Sequence, residues 1–284
     1  MSGGAPWSLE SFTASDGYRW HYRRYPAATA PRAEVVALHG IQSHAGWYEY
    51  SCTRLAGAGY NVSFLDRRGS GRNEMARGDA PSFRRLLDDV AEFLRRRRAE
   101  NARQPILLMA ISWGGKLGAA LPRRHPRLID GLALLCPGFF PRVGLPLRQR
   151  LAILWSRLVS PTRLYPIPLS DPSLFTATPH WLEFLRDDPL ALHHATARLL
   201  VESARLDGYL RRAPRQLTMP VLLMLGGQDR IIDNERTRAF ADRFAGETTV
   251  REFPEAHHTL EFEPDPDRFL EHLLAWLDRQ TARG

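Results

Sequence analysis

Short apolar runs alternate along this chain with longer segments of helical periodicity, and that alternation constrains the fold more than any other feature. The runs are "EVVALHG", "NVSFLD", "PILLMA", "LIDGLALLCP", "VLLMLGG" and "TTVREF". Strands apolar on both faces have no side to offer to water, so they predict a parallel sheet covered by helices. The intervening "YEYSCTRLAGAG", "PSFRRLLDDVAEFLRRRRAE" and "GGKLGAALPRRH" read as helices, as do residues 236–244 and the C-terminal segment. Phe83, Leu86, Leu87, Val90 and Leu94 share one face of the second. Phe269, Leu270, Leu273, Leu274 and Leu277 share one face of the last. Near the start, Asp16-Gly17 inside "FTASDGYRWHY" signals a hairpin. Residues 139–214 break the alternation, since they hold no strand-like run and many prolines and aromatics. They read as an inserted helical cap, with residues 1–138 and 215–284 as the core.

A chain of 284 residues can bury one large core and carry such an insertion. No apolar run is long enough to span a bilayer. The opening "MSGGAPWSLESF" has no basic stretch followed by an apolar one, so no secretion signal is expected. Cys52 and Cys136, in a predicted helix and a predicted strand, are too few for a disulfide scaffold and read as reduced and buried. The expected compartment is the cytoplasm. The net charge of +8 comes almost wholly from arginine, with Lys116 the only lysine. Such a balance raises the thought of nucleic acid or an anionic membrane. The arginines are scattered, however, and no nucleic-acid motif accompanies them, so nucleic acid is not an expected partner. The run at residues 95–98 ends an amphipathic helix, where cations suit the helix dipole.

"MAISWGGK" lies where a predicted strand ends and a helix begins. Ala110-Ile111-Ser112-Trp113-Gly114 fits a nucleophile elbow, the sharp turn that lifts a serine clear of the sheet. Close backbone approach there demands small residues two positions either side. An ordinary strand-to-helix turn with a serine N-cap would read the same way. What separates the two is the rest of the machinery. A serine hydroxyl needs a base, and the base needs an orienting group. Asp229 follows the strand "VLLMLGG", with Asp233 as the next candidate acid. His257 and His258 follow "TTVREF". All land at the sheet edge that carries Ser112, in the order Ser, Asp, His. His39 lies in the wrong loop for that order. The oxyanion needs two N–H donors. Trp113 supplies one, and Gly40 permits a turn that points the Ile41 amide inward.

These residues together resemble the α/β-hydrolase superfamily, and within it the monoacylglycerol lipase and lysophospholipase-like group of serine aminopeptidase S33-type hydrolases. "LHGIQSHAGWY" resembles that group's oxyanion segment, "LAGAGYNVSFLDRRGSGRN" its Asp-x-Arg-Gly-x-Gly turn, "GGQDRIID" its acid loop and "HHTLEFE" its histidine segment. The resemblance implies an α/β-hydrolase core with a helical cap. It favours Asp229 as the acid and His258 over His257 as the base, and it gives Asp66 a structural place. Departures are Ala110 at the first elbow position and Ile41-Gln42 after His39-Gly40. The expected reaction is hydrolysis of a small-molecule carboxylic ester with an apolar acyl group, without metal or organic cofactor. A thioesterase, peptidase, amidase or acyltransferase would use the same triad. A non-catalytic ligand receptor is the alternative of another class.

In the cap, Leu147, Leu151, Leu154, Trp155 and Leu158 recur at helical spacing, with Arg148, Arg150 and Arg157 between them. One reading packs this stripe on the core. The other makes Leu151, Leu154 and Trp155 substrate-binding residues roofing an acyl channel, beside a surface that anionic lipid would favour.

Overall fold

The apolar runs become the strands of one sheet. The computed structural model describes residues 6–282. Residues 1–5, part of the stretch read above for a signal, lie outside the described residues. β1 (Ser8–Thr13) and β2 (Arg19–Tyr25) form the expected antiparallel hairpin, closed by a turn in which Gly17 has φ +82°. β3 (Ala33–Leu38), β4 (Tyr60–Leu65), β5 (Ile106–Ile111), β6 (Gly131–Leu135), β9 (Val221–Gly226) and β10 (Thr248–Phe253) run parallel to one another. The sheet order is β1-β2-β4-β3-β5-β6-β9-β10. Every residue of β3, β5, β6 and β9 is buried, whereas the edge strand β10 is half open to water.

α1 (Glu49–Gly57), α2 (Phe83–Glu100), α3 (Trp113–Arg124), α7 (Asn234–Ala241) and α8 (Asp267–Thr281) flank the sheet. Phe83, Leu86, Leu87, Val90 and Leu94 of α2 are all buried, as their spacing predicts. Ser82 starts that helix by accepting from the Arg85 amide at 3.1 Å. The basic end of α2 is tied down locally: Arg96 and Arg97 pair with Glu100, and Arg98 with Asp130. β3 lies between β4 and β5, so the chain reverses its direction of travel across the sheet there. A crevice opens beyond the carboxyl ends of strands at such a point.

The segment between β6 and β9 holds α4 (Leu147–Val159), β7 (Leu164–Pro166), α5 (Pro179–Asp187), β8 (His194–Thr196) and α6 (Ala197–Leu210). β7 and β8 pair as a short antiparallel ribbon, which corrects the expectation of a segment without strands. Three residues per strand are too few to show an alternating pattern in the sequence. Tyr165 and Ala197 pack with Ile153 and Val201 in a small core of their own, so α4 rests on α6. α6 in turn sits on the main body: the Phe83 amide donates to Glu202 at 3.0 Å and Arg123 to the Tyr209 carbonyl at 2.8 Å. Phe139 still packs on Phe240 of α7, and the Arg142 amide donates to the Ile231 carbonyl at 2.8 Å. Among the described residues no helix is long and apolar enough to cross a membrane.

Candidate active site

Ser112 stands between β5 and α3 with φ 52° and ψ −122°, a region that L-residues rarely occupy. The turn is gripped from both sides: the Ser112 amide donates to Leu135 at 3.0 Å, and the Gly138 amide donates to the Ser112 carbonyl at 2.7 Å. A Cβ on Gly114 would lie 2.6 Å from the His39 carbonyl oxygen, so this position excludes any side chain. Ala110 is tolerated because α3 presents Gly118 to it, where an added Cβ would come within 2.8 Å of the Ala110 methyl.

His258 lies between Ser112 and Asp229. Its Nε2 is 2.8 Å from Ser112 Oγ, and its Nδ1 is 2.6 Å from Asp229 Oδ2. A carboxylate only accepts, so Nδ1 carries the proton and Nε2 is left to accept the serine hydroxyl. The second Asp229 oxygen accepts from the Ile231 and Ile232 amides at 2.7 and 3.1 Å. The competitors are occupied elsewhere. Asp233 opens α7 by accepting from the Arg236 amide at 3.0 Å. Arg230 donates to Ser173 rather than to Asp229. His257 turns to Glu263, 3.1 Å from its Nδ1.

Cys136 was expected inside a strand, but β6 stops at Leu135 and Cys136 has φ 43°. That turn brings its buried thiol beside Asp229 and His258, and burial, reinforced by the Asp229 charge, pushes the thiol well up. Three potential metal donors thus meet. Both ring nitrogens of His258 are already spent on Ser112 and Asp229. Both cysteines are free and buried. The apolar run continues past Leu135 through Cys136 to Pro137, so the sequence gives no sign of the turn that sets this thiol beside Asp229.

The loop after β3 presses on Ser112: a Cβ on Gly40 would lie 3.2 Å from Ser112 Cβ. His39 is buried, and its Nδ1 donates to the Gly40 carbonyl at 2.7 Å. Its Nε2 accepts from the Arg67 amide at 2.9 Å. Burial, and then the nearby Arg67 charge, hold this imidazole well below its usual range, so it is neutral. A trans peptide sends its C=O and N–H in opposite directions. Fastening the Gly40 carbonyl to His39 therefore turns the Ile41 N–H the other way. The Trp113 N–H opens α3, where no carbonyl one turn earlier claims it. Asp66 serves structure, accepting from the Ala45 amide at 2.8 Å and the Arg72 amide at 3.0 Å.

The segment between β6 and β9 closes over this edge. The Trp113 indole donates to Ser203 of α6 at 2.8 Å. Phe175 stands edge-on to the His258 ring with centroids 6.0 Å apart. It also lines a cavity of about 310 Å³ with Gln42, Trp47, Leu169, Leu185 and His193. A wider groove of about 420 Å³ runs behind His257, along Phe253, Leu260 and Phe269. The α4 stripe does not pack on the core. Leu151, Leu154 and Trp155 are 58%, 55% and 65% exposed, and Leu147 and Leu158 are more so. Only Ile153 and Ser156 of this helix are buried. Helical spacing alone did not reveal which face α6 would cover.

A mostly parallel eight-stranded sheet with flanking helices, bearing a serine on a strained strand-to-helix turn, is the architecture of an α/β-hydrolase. The family model described as "Serine aminopeptidase, S33" matches residues 29–265, and the chain belongs to that family. It is 26% identical over 275 residues to a monoacylglycerol lipase of Mycolicibacterium smegmatis, covering 95% of this chain and 96% of that protein. It is 24% identical over 281 residues to the monoglyceride lipase of Homo sapiens, covering 96% of this chain and 91% of that one. Among solved structures, a soluble variant of monoglyceride lipase from Saccharomyces cerevisiae, in complex with a substrate analogue, superimposes with a TM-score of 0.85. The two are 19% identical, and 98% of this chain and 97% of that one are covered.

Proposed function

We propose that the chain is a serine hydrolase of carboxylic esters, acting on small molecules with an apolar acyl group. The observation that carries this reading is the unbroken hydrogen-bond line from Ser112 Oγ through His258 to Asp229, at 2.8 and 2.6 Å. Ser112 attacks the ester carbonyl while His258 Nε2 takes its proton. The oxyanion is held by the Ile41 and Trp113 amides. His258 then gives the proton to the leaving alcohol, and an acyl group remains on Ser112. Water, deprotonated by the same imidazole, releases the acid and restores the serine. Asp229 keeps the ring in the working tautomer throughout.

Residues 139–214 act as the cap. The cavity along Phe175, Trp47, Leu169 and Leu185 supplies an apolar wall beside His258 and suits the acyl side. The exposed face of α4, with Arg148 and Arg150 alongside, offers apolar side chains and positive charge to an anionic lipid surface. Two buried free thiols fit a cytoplasmic setting.

A panel of p-nitrophenyl esters, monoacylglycerols, lysophospholipids, acyl thioesters and aminoacyl amides tests the reading. Esters turn over fastest, with kcat/KM rising up to about fourfold for each added methylene that the cavity buries. Amides or thioesters hydrolysed faster than matched esters would redirect it.

A further inference from the structure

Arg67 and Arg68 are neighbours with opposite circumstances. Arg68 pairs with Asp89 at 2.7 Å and Asp16 at 2.9 Å. Arg67 is only 7% exposed, yet among the described residues its guanidinium takes part in no ion pair. A buried cation with no carboxylate bonded to it is costly, and burial pushes this one down to about 10 even with the charge of Asp66 nearby. What surrounds it is the proposed oxyanion site. Nη2 donates to the Ile41 carbonyl at 2.9 Å, and Nη1 reaches the Arg68 carbonyl at 3.3 Å. The guanidinium carbon lies 5.0 Å from the centre of the Trp113 ring. Nε has no partner. The backbone amide of the same residue fixes the tautomer of His39, which holds the Gly40 carbonyl.

We propose that Arg67 is a positioning residue for the oxyanion site, its flat fork tying Ile41 to Trp113 so that their two amides keep one separation. Ile41 is held at both of its peptide planes, by His39 before it and by Arg67 after it. Trp113 is held at both ends of its indole, by Ser203 at the nitrogen and by the guanidinium over the ring. Arginine suits this task where lysine does not, because only the planar guanidinium can bond a carbonyl in its plane and lie against a ring with its face. A residue kept for stability alone would do as well or better as an apolar side chain of similar volume.

The inference rests on the esterase reading above, so the test carries Arg67→Met, Arg67→Lys and Ser112→Ala together. On p-nitrophenyl butyrate, Arg67→Met is expected to lower kcat by about 10- to 100-fold with KM within about twofold. Affinity for an alkyl trifluoromethyl ketone, which forms a tetrahedral adduct on the serine, falls by the same factor. Arg67→Lys recovers part of the loss, since it restores charge without the fork. A folded Arg67→Met protein with wild-type kcat overturns the proposal, as does a change confined to KM. Where Arg67→Met does not fold, Arg67→Lys decides: unchanged kcat and unchanged ketone affinity overturn it. Ser112→Ala separates the two readings. If that variant still turns over ester, the triad assignment has failed. If it is inert while Arg67→Met is fully active, only the role of Arg67 falls.

Discussion

The nucleophile turn and helix α4 use small and large residues in opposite ways. At the turn, glycines let backbones approach so closely that a Cβ on Gly114 would meet the His39 carbonyl oxygen at 2.6 Å. On α4, six large apolar side chains stand more than half exposed. The turn spends its composition on geometry, and a side chain added to its glycines is felt in the fold. The outer face of α4 touches nothing that folding needs. Its apolar character therefore points to something outside the chain, as a run of exposed large apolar side chains on one helix face does.

The contrast is tested most severely at Ser112. Ser112→Ala is expected to abolish ester turnover and fluorophosphonate labelling while leaving the fold intact. His258→Ala should cost at least ~10³-fold in kcat, and His257→Ala far less. A dead His257 variant beside an active His258 variant would reverse the assignment. Gly114→Ala should destabilise by about 3 kcal/mol in urea unfolding, because the neighbours at fault are backbone atoms that cannot swing aside. Gly118→Ala should cost about 1–3 kcal/mol, and the exchange Ala110→Gly with Gly118→Ala should recover most of it. Failure to recover would show that the methyl groups are not what collide.

Glu261 gives a smaller, pH-dependent effect. It accepts from Ser51 in a buried site, and burial pushes its carboxyl up to about 7 from an ordinary 4.5. The folded chain thus keeps a proton that the unfolded chain releases. That stabilisation is present below about pH 4.5 and is lost as pH rises through about 7. Thermal unfolding at pH 5 and pH 8 should show a fall of a few degrees that Glu261→Gln removes. Parallel curves for the two proteins would mean that Glu261 is already charged. The smallest effect on stability belongs to α4, where Leu154→Ser and Trp155→Ser should stay within about 0.5 kcal/mol of wild type. Their consequence should appear only with substrate in anionic vesicles, where hydrolysis slows while soluble short esters react as before. Equal loss on both substrates would return the stripe to a supporting role.

Much of this was legible in the residues because strand and helix signals are local. β5, β6 and β9, at the middle of the main sheet, carry no polar side chain at all, and Ser112, Asp229 and the paired histidines each follow a strand. Where the sequence misled, the missing information was tertiary. The α4 stripe has good helical spacing, but α6 covers the other side of the helix, so Ile153 is buried in place of Leu154. β7 and β8 are too short to carry an alternating pattern and exist because Tyr165 and Ala195 meet across the inserted segment. Cys136 lies inside an apolar run that continues to Pro137, and its placement beside Asp229 depends on a backbone turn that no letter announces. The role proposed for Arg67 is hidden in the same way, since it depends on the neighbouring Asp66 bonding to the Ala45 and Arg72 amides instead of to this guanidinium.

The bond from the Trp113 indole to Ser203 bears on how freely such proteins exchange parts. An inserted segment is easily imagined as a module, swapped between relatives to change what the enzyme accepts while the chemistry stays put. Here the segment reaches down to the residue next to the nucleophile. A chimera that receives a foreign insertion without a hydroxyl at that place inherits a differently seated Trp113 along with its new preferences. Its turnover would shift even on substrates too small to touch the borrowed part.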